Sequence, residues 1–412
     1  MEHSFKAGAG RAELAFPVDY FPADGYSGIH DPMYCRALLL EEGPVRGGLV
    51  VLELPSVRPW ERTDELRAYA AELLNAPYEN VWLVVTHDLS APHVPREEAH
   101  QALHMDVLRQ AVSEACGQAA ASLREAVVRY AGGSSDVNAN RDVESVDGWW
   151  VGIHGKGPSD KTLSLLRFDG LDGGPIAVLY SYAIKSSVLE GADMPDGKRY
   201  ASGDVTGRAG VKAEKALGCP VLFVMGAAGD QVPKRKANYL ALDENGHFYT
   251  VDLGEQGYEV LEALSDTLSG DILAAASASA PGGERPALRF AAASVECAAK
   301  KPYPKSLPAP PVRRYAYEPD GTQTLDIWAI RVGEAAILGV KPEITTPIFD
   351  AIKKNSPFPH TLIATLANGG QGYIATDWDF PRFTYPALHT PFQPGTDRKL
   401  IEQVQALLDR IR

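Results

Sequence analysis

Five short segments of the chain concentrate residue types that do chemistry: THDLSAP (86–92), YAIKSS (182–187), GAAGDQVP (226–233), KPEITTP (341–347) and NGGQGYIATD (368–377). Each sets a polar group among small residues at the end of a strand-like run. Glycines there let the backbone come close to a ligand. Loops at the carboxyl ends of strands are where α/β sheets hold their ligands. His87 stands at the mouth of the apolar run Val81-Trp-Leu-Val-Val, where an imidazole can bind a metal or carry a proton. Any one of these segments alone reads as a turn. Five together point to a shared pocket.

The elements that must position them alternate between strand and helix patterns. Strand-like runs are GGLVVLEL (47–54), VWLVV (81–85), PIAVLYSYAI (175–184), PVLFVM (220–225), LRFAAASVECAA (288–299) and TLIATLA (361–367). Apolar residues recurring at three and four predict helices over 64–74, 97–130, 207–217 and 257–278, and a terminal helix from about Asp397. TLDIWAIRVGEAAILGV (324–340) reads as two strands turning at Gly333-Glu334, and the proline-rich 301–311 as a surface connection. With no long linker, the expectation is one α/β domain over 1–412, a central, mostly buried β-sheet flanked by helices.

Bulk properties exclude some classes of function. The net charge of -13, from 53 acidic and 40 basic residues, is the wrong sign for a nucleic-acid surface. No run of about 18 apolar residues predicts membrane insertion, and MEHSFKAGAGRAELAF has no apolar core of a signal peptide. The four cysteines (Cys35, Cys116, Cys219, Cys297) are far apart and read as reduced thiols. A cytoplasmic protein is expected, with a small-molecule acyl or amine substrate, no nucleic-acid partner and the oligomeric state left open.

Read in order, the motifs resemble the catalytic domain of the neutral/alkaline ceramidase family. GAGRAEL (8–14) resembles that family's GxGRADIT, GIHDPMYCRALLLEEG (28–43) its G-x-HDPLYARALVL, and THDLSAP its THTHSGP. NANR (138–141) resembles NRNR, YAIKSSVL the run FACHPTVL, SGDVTG (202–207) SGDFPG, and FVMGAAGDQVP (223–233) FLNGAAGDINP. KPEITTPI resembles PGEFTT, NGGQGYIAT resembles NGYAGYIPT, and FQPGTDRKLIEQ (392–403) the closing segment. No counterpart of the family's C-terminal immunoglobulin-like domain is expected here.

The resemblance implies amide cleavage at one zinc held by two His, a Glu and a Tyr, a site that polarises the carbonyl and acidifies bound water. Carried over by motif, it places ligands at His87, Glu343 and Tyr373, a second tyrosine near the reacting carbonyl at Tyr385, and a substrate-contacting arginine at Arg141. Two positions depart from the pattern: the second His of THTH is Leu89 and the ligand His of CHPT is Lys185. A protonated lysine has donors only and repels a metal cation. The expectation is therefore a degenerate zinc site in which Lys185 pairs with Glu343. No cofactor is expected; zinc is the one the resemblance leaves open, on His87, Glu343 and Tyr373, with His93 as a substitute ligand.

Without metal, two groups remain that can attack or take a proton. Cys35, where the family has alanine, can serve as a thiolate nucleophile with His30 or His87 as base, which would run the amide bond in the forming direction. Lys185 can act as a base if burial lowers its pKa. Asp204 and Asp230 read as turn or cap residues holding the pocket loops. The sequence thus points to an enzyme acting on the C–N amide bond of a small N-acyl metabolite, a hydrolase or a Cys35-dependent acyltransferase. The alternative is a non-catalytic binding protein that keeps the pocket and has lost the zinc chemistry.

Overall fold

The computed structural model describes residues 4–282 and 286–412. Its largest sheet orders its strands Val221–Met225, Pro175–Tyr182, Thr162–Gly170, Arg124–Ser134, Phe5–Glu13, Tyr34–Glu42, Val45–Leu52 and Val81–Val85, with Ala280–Pro281 also pairing Arg124–Ser134. Pairing is antiparallel through the middle and parallel at both ends, where Val221–Met225 joins Pro175–Tyr182 and Val81–Val85 joins Val45–Leu52. The end strands are fully buried, which is why they are apolar at every position rather than alternating. A second sheet runs Leu288–Lys300, Pro319–Val332, Ala335–Val340 and His360–Thr365, its last pair parallel.

The two sheets pack face to face. Leu49, Val51, Trp82, Val84, Phe168 and Leu179 of the first sheet share one buried cluster with Trp328, Ile330, Ile337 and Leu362 of the second. Helices Trp60–Leu73, Glu98–Ala121, Asp204–Leu217 and Gln256–Ala278 cover the outer face of the large sheet. Helices Thr346–Asn355 and Thr396–Ile411 cover the outer face of the small one. The chain is a mixed α/β domain with a large central sheet flanked by helices, as its alternating patterns imply, and the second sheet packs on that sheet's inner face.

One predicted element is corrected. Apolar spacing carries a helix pattern across 97–130, yet the helix stops at Ala121 and Arg124–Ser134 is a strand. Within it Ala126, Val128 and Tyr130 are buried in alternation, a period of two that the short V-V-R-Y run masks. The turn at Gly333-Glu334 and the surface path of 301–311 are found as expected.

The parallel strands end together. Gly226 N–H donates to the Tyr182 carbonyl, the Thr365 hydroxyl donates to the Met225 carbonyl, and Asn368 N–H donates to the Leu83 carbonyl. These bonds stitch the carboxyl ends of both sheets into one rim. The chemistry-bearing loops all leave from it.

Candidate active site

A cavity of about 480 Å³ opens on that rim, and His87, Arg141, Lys185, Glu343, Tyr373 and Tyr385 all line it. His87, Lys185 and Glu343 follow strand ends, Arg141 lies within the strand Asn138–Ser145, and Tyr385 opens the short helix Tyr385–His389. His87 follows Val81–Val85 with a left-handed backbone, φ 53°. For a β-carbon-bearing residue this is a strained conformation of the kind that gathers at functional sites. Lys185 follows Pro175–Tyr182; Glu343 and Tyr373 are direct partners in a parallel ladder two residues long, Glu343–Ile344 against Tyr373–Ile374.

Charge is organised around Glu343. The Lys185 Nζ lies 2.8 Å from one carboxylate oxygen and donates to the Tyr373 hydroxyl at 3.1 Å. The other oxygen faces His87 Nε2 at 3.3 Å. On the far side of the imidazole, Nδ1–H donates to the Pro55 carbonyl at 3.0 Å, which fixes the ring. Lys185 is 1% exposed. Burial, and then the nearby Arg141, bring its pKa down to about 8. Burial pushes Glu343 up, but Lys185, His87 and Arg141 together outweigh it and hold the carboxyl well below its ordinary range. Burial and the Glu343 charge push the Tyr373 phenol well up.

Arg141 is buried at 5% exposure, yet its Nε and Nη2 have no hydrogen-bond partner among the described residues. Its guanidinium sits 4.6 Å from the ring centre of Tyr385 and 5.3 Å from that of Tyr373, contacts that orient it without using its N–H groups. Tyr385 in turn stacks on His389 at 3.8 Å. Further cations line the cavity, Lys236 paired to Glu190 at 2.7 Å, and Arg58.

The donor set does not fit a four-ligand zinc centre. His87, Glu343 and Tyr373 converge, but the fourth position brings an ammonium nitrogen to 2.8 Å from the carboxylate, and that charge repels a divalent cation. His93 lines the same cavity but is tied by its backbone N–H and its Nδ1 to Asp24, each at 2.8 Å. Leu89 lines the wall where the resemblance has a second histidine.

Two expected residues are not brought to the site. Cys35 lies on Tyr34–Glu42 with no exposed surface, in the core beneath the helices, and burial pushes its thiol well up. The thiolate reading is therefore corrected: the strand turns Cys35 inward while the next residue, Arg36, pairs with Glu53 and Glu214. His30 is exposed, bound to Asp31 at 2.7 Å and stacked on Tyr258 at 3.9 Å, outside the cavity lining. Asp204 holds the loops as expected, accepting from Val188 N–H, Leu189 N–H and the Ser90 hydroxyl. Asp230 accepts from Thr346 N–H.

Sequence reasoning missed Lys236, Glu190 and His389. Only His389 carried a signal, four residues after Tyr385 and thus on the same face of the short helix Tyr385–His389.

No family model and no curated protein matches the chain. Solved structures do, among them the neutral ceramidase from Pseudomonas aeruginosa, at TM-score 0.71 and 17% identity, covering 100% of this chain and 75% of that one, and a ceramidase complexed with C2, at TM-score 0.71 and 16% identity, covering 100% and 76%. Over its whole length, this chain has the neutral ceramidase fold.

Proposed function

We propose that this chain is a metal-independent amide hydrolase acting on a small N-acyl metabolite. The observation that carries the reading is the Lys185 ammonium at 2.8 Å from Glu343, a fixed positive charge at the centre of a cavity lined by an imidazole and two phenols. In this reading the substrate carbonyl oxygen faces Lys185, Arg141 and Tyr385, which stabilise charge developing on it. With Nδ1–H given to Pro55, His87 acts as base through Nε2 once a water enters between it and the Glu343 carboxylate, and takes a proton from that water. The hydroxide adds to the carbonyl carbon and the C=O electron pair moves to oxygen. On collapse the C–N bond breaks and His87 returns the proton to the amine nitrogen, with Glu343 stabilising the transient imidazolium.

The lining supports an anionic substrate. Arg58, Arg141, Lys185 and Lys236 face only Glu190 and Glu343, and a buried guanidinium with free N–H groups suits a carboxylate. An N-acyl amino acid has that chemistry. No helix among the described residues is long and apolar enough to cross a membrane, and the four free, buried cysteines accord with a cytoplasmic setting.

The reading is tested with a panel of N-acyl amines, with and without a carboxylate, on protein dialysed against chelator. Hydrolysis should persist after chelation, favour the carboxylate-bearing members, and fall about 100-fold or more in His87→Asn and Tyr385→Phe. Turnover abolished by chelator and restored by zinc sinks the metal-independent reading. Tight binding of panel members without turnover favours the second reading, a binding protein, to which Leu89 and the closed Lys185–Glu343 pair also point.

A further inference from the structure

A second cavity, of about 570 Å³, lies on the other face of the strand Asn138–Ser145. Successive side chains of a strand point to opposite sides: Arg141 faces the first cavity, whereas Asn140 and Asp142 line the second. The two cavities have opposite electrostatic character. Five aspartates line the second, and none of its lining residues is Lys or Arg.

Three of the five carboxylates are satisfied. Asp379 accepts from Thr376 N–H, the Thr376 hydroxyl and the Thr384 hydroxyl. Asp377 is paired with Arg398, and Asp230 accepts from Thr346. The remaining two are not. Asp142 is 4% exposed and its Oδ1 has no hydrogen-bond partner among the described residues, nor has the buried Oδ1 of Asp397. An unpartnered buried carboxyl oxygen costs free energy unless something donates to it, and an ammonium donating to Asp142 would take the place of the proton that burial otherwise keeps there. Trp149 and Trp378, 5.1 Å apart, with Ile348 and Ile401, form apolar walls around these oxygens. Arg382 stacks over Trp378 at 4.3 Å, so this indole already holds a cation against its ring.

We propose that this second cavity is a binding site for an organic ammonium ion with an apolar body, its N–H groups donating to Asp142 and Asp397 and its body packing on Trp149 and Trp378. The volume suits a small aralkylamine. A metal ion fits less well, because the described residues include no group of three or more ligating side chains placed to hold one. The inference does not rest on the amide reading of the first cavity.

The test is calorimetric titration of the full chain with 3-phenylpropylamine, 3-phenylpropan-1-ol and 3-phenylpropanoate, with tryptophan fluorescence as a parallel readout. The amine should bind about tenfold or more tighter than the alcohol, and the carboxylate weakest. Asp142→Asn should weaken the amine about tenfold and leave the alcohol unchanged, with thermal unfolding as the check that the variant folds. If Asp142→Asn does not fold, Asp397→Asn takes its place with the same expectation. Equal affinity for amine and alcohol overturns the proposal, as does amine binding that survives both substitutions. Displacement of the amine by millimolar calcium would make the cavity a metal site and equally overturn it.

Discussion

Replacing Lys185 with methionine keeps most of the side chain's length and removes its charge. Glu343, only 4% exposed at its side chain, then loses the ammonium 2.8 Å away. Breaking a buried pair by deleting one partner costs about 3–5 kcal/mol, because the remaining charge stays buried without compensation. With an unfolding entropy of roughly 2.1 cal/mol/K per residue over 412 residues, 1 kcal/mol corresponds to about 1.2 °C. Lys185→Met should therefore lower Tm by about 3–6 °C in scanning calorimetry. The double variant Lys185→Met/Glu343→Gln removes both charges and should recover most of the loss. The sign with pH follows from Glu343. Burial pushes its carboxyl up, but Lys185 and His87 outweigh it and hold the group well below the ordinary carboxylate range in the fold. The folded state then binds fewer protons than the unfolded one as pH falls through about 4.5, so this stability is present above that pH and lost below it. In Lys185→Met that acid-side loss should shrink. A single variant as stable as the parent, or a double variant no better than the single, would refute the claim that the Lys185 ammonium is the charge that compensates buried Glu343.

Other consequences are equally direct. Lys185→His rebuilds a donor set of two His, a Glu and a Tyr, and should raise zinc content from near none to about one ion per chain, measured by plasma mass spectrometry on untagged protein. Cys35→Ala should leave ligand binding and any turnover unchanged and cost only about 1 kcal/mol in denaturant unfolding, the effect of one small buried side chain. Asp142, pushed up by burial to about 8, holds its proton in the fold at pH values where the unfolded chain has released it. Stability from this group therefore falls as pH rises from about 4 to 8. Asp142→Asn should stabilise the protein at pH 8, by about 2 kcal/mol as an order of magnitude, and by much less at pH 4.

How much of this was legible in the sequence differs by residue and reason. Val81–Val85 and Val221–Met225 are apolar at every position because both their faces are covered, and such runs announce themselves. Asn138–Ser145 is mostly polar yet buried, because it separates two cavities rather than facing a core; nothing in its pattern says strand. The packing of two sheets was not readable, since a run such as TLDIWAIRV looks the same whether a helix or another sheet covers it. At the site, residue types carried His87, Lys185, Glu343, Tyr373, Tyr385 and Arg141 into one cavity. Residue type could not say which way Cys35 points. That depends on strand register, with Cys35 opposite Leu52 and Ala12, and a one-residue slip would have turned it to the other face.

The ladder that seats Glu343 beside Tyr373 is only two residues long, and the contact between Asp88 and Ser186 is a single bridge. Pairings this short have little stability of their own. They exist because the larger sheets already hold their flanks in place, so they are expected to open before the longer ladders do. The amide of Glu343, bonded to the Gly372 carbonyl at 2.8 Å, should therefore exchange with solvent deuterium through local opening, far faster than the amides of Val81–Val85. A molecule bridging His87, Lys185 and Tyr385 must hold those openings shut. The exchange rate of one backbone proton then becomes an occupancy gauge for the cavity, usable with any compound and before any reaction has been found.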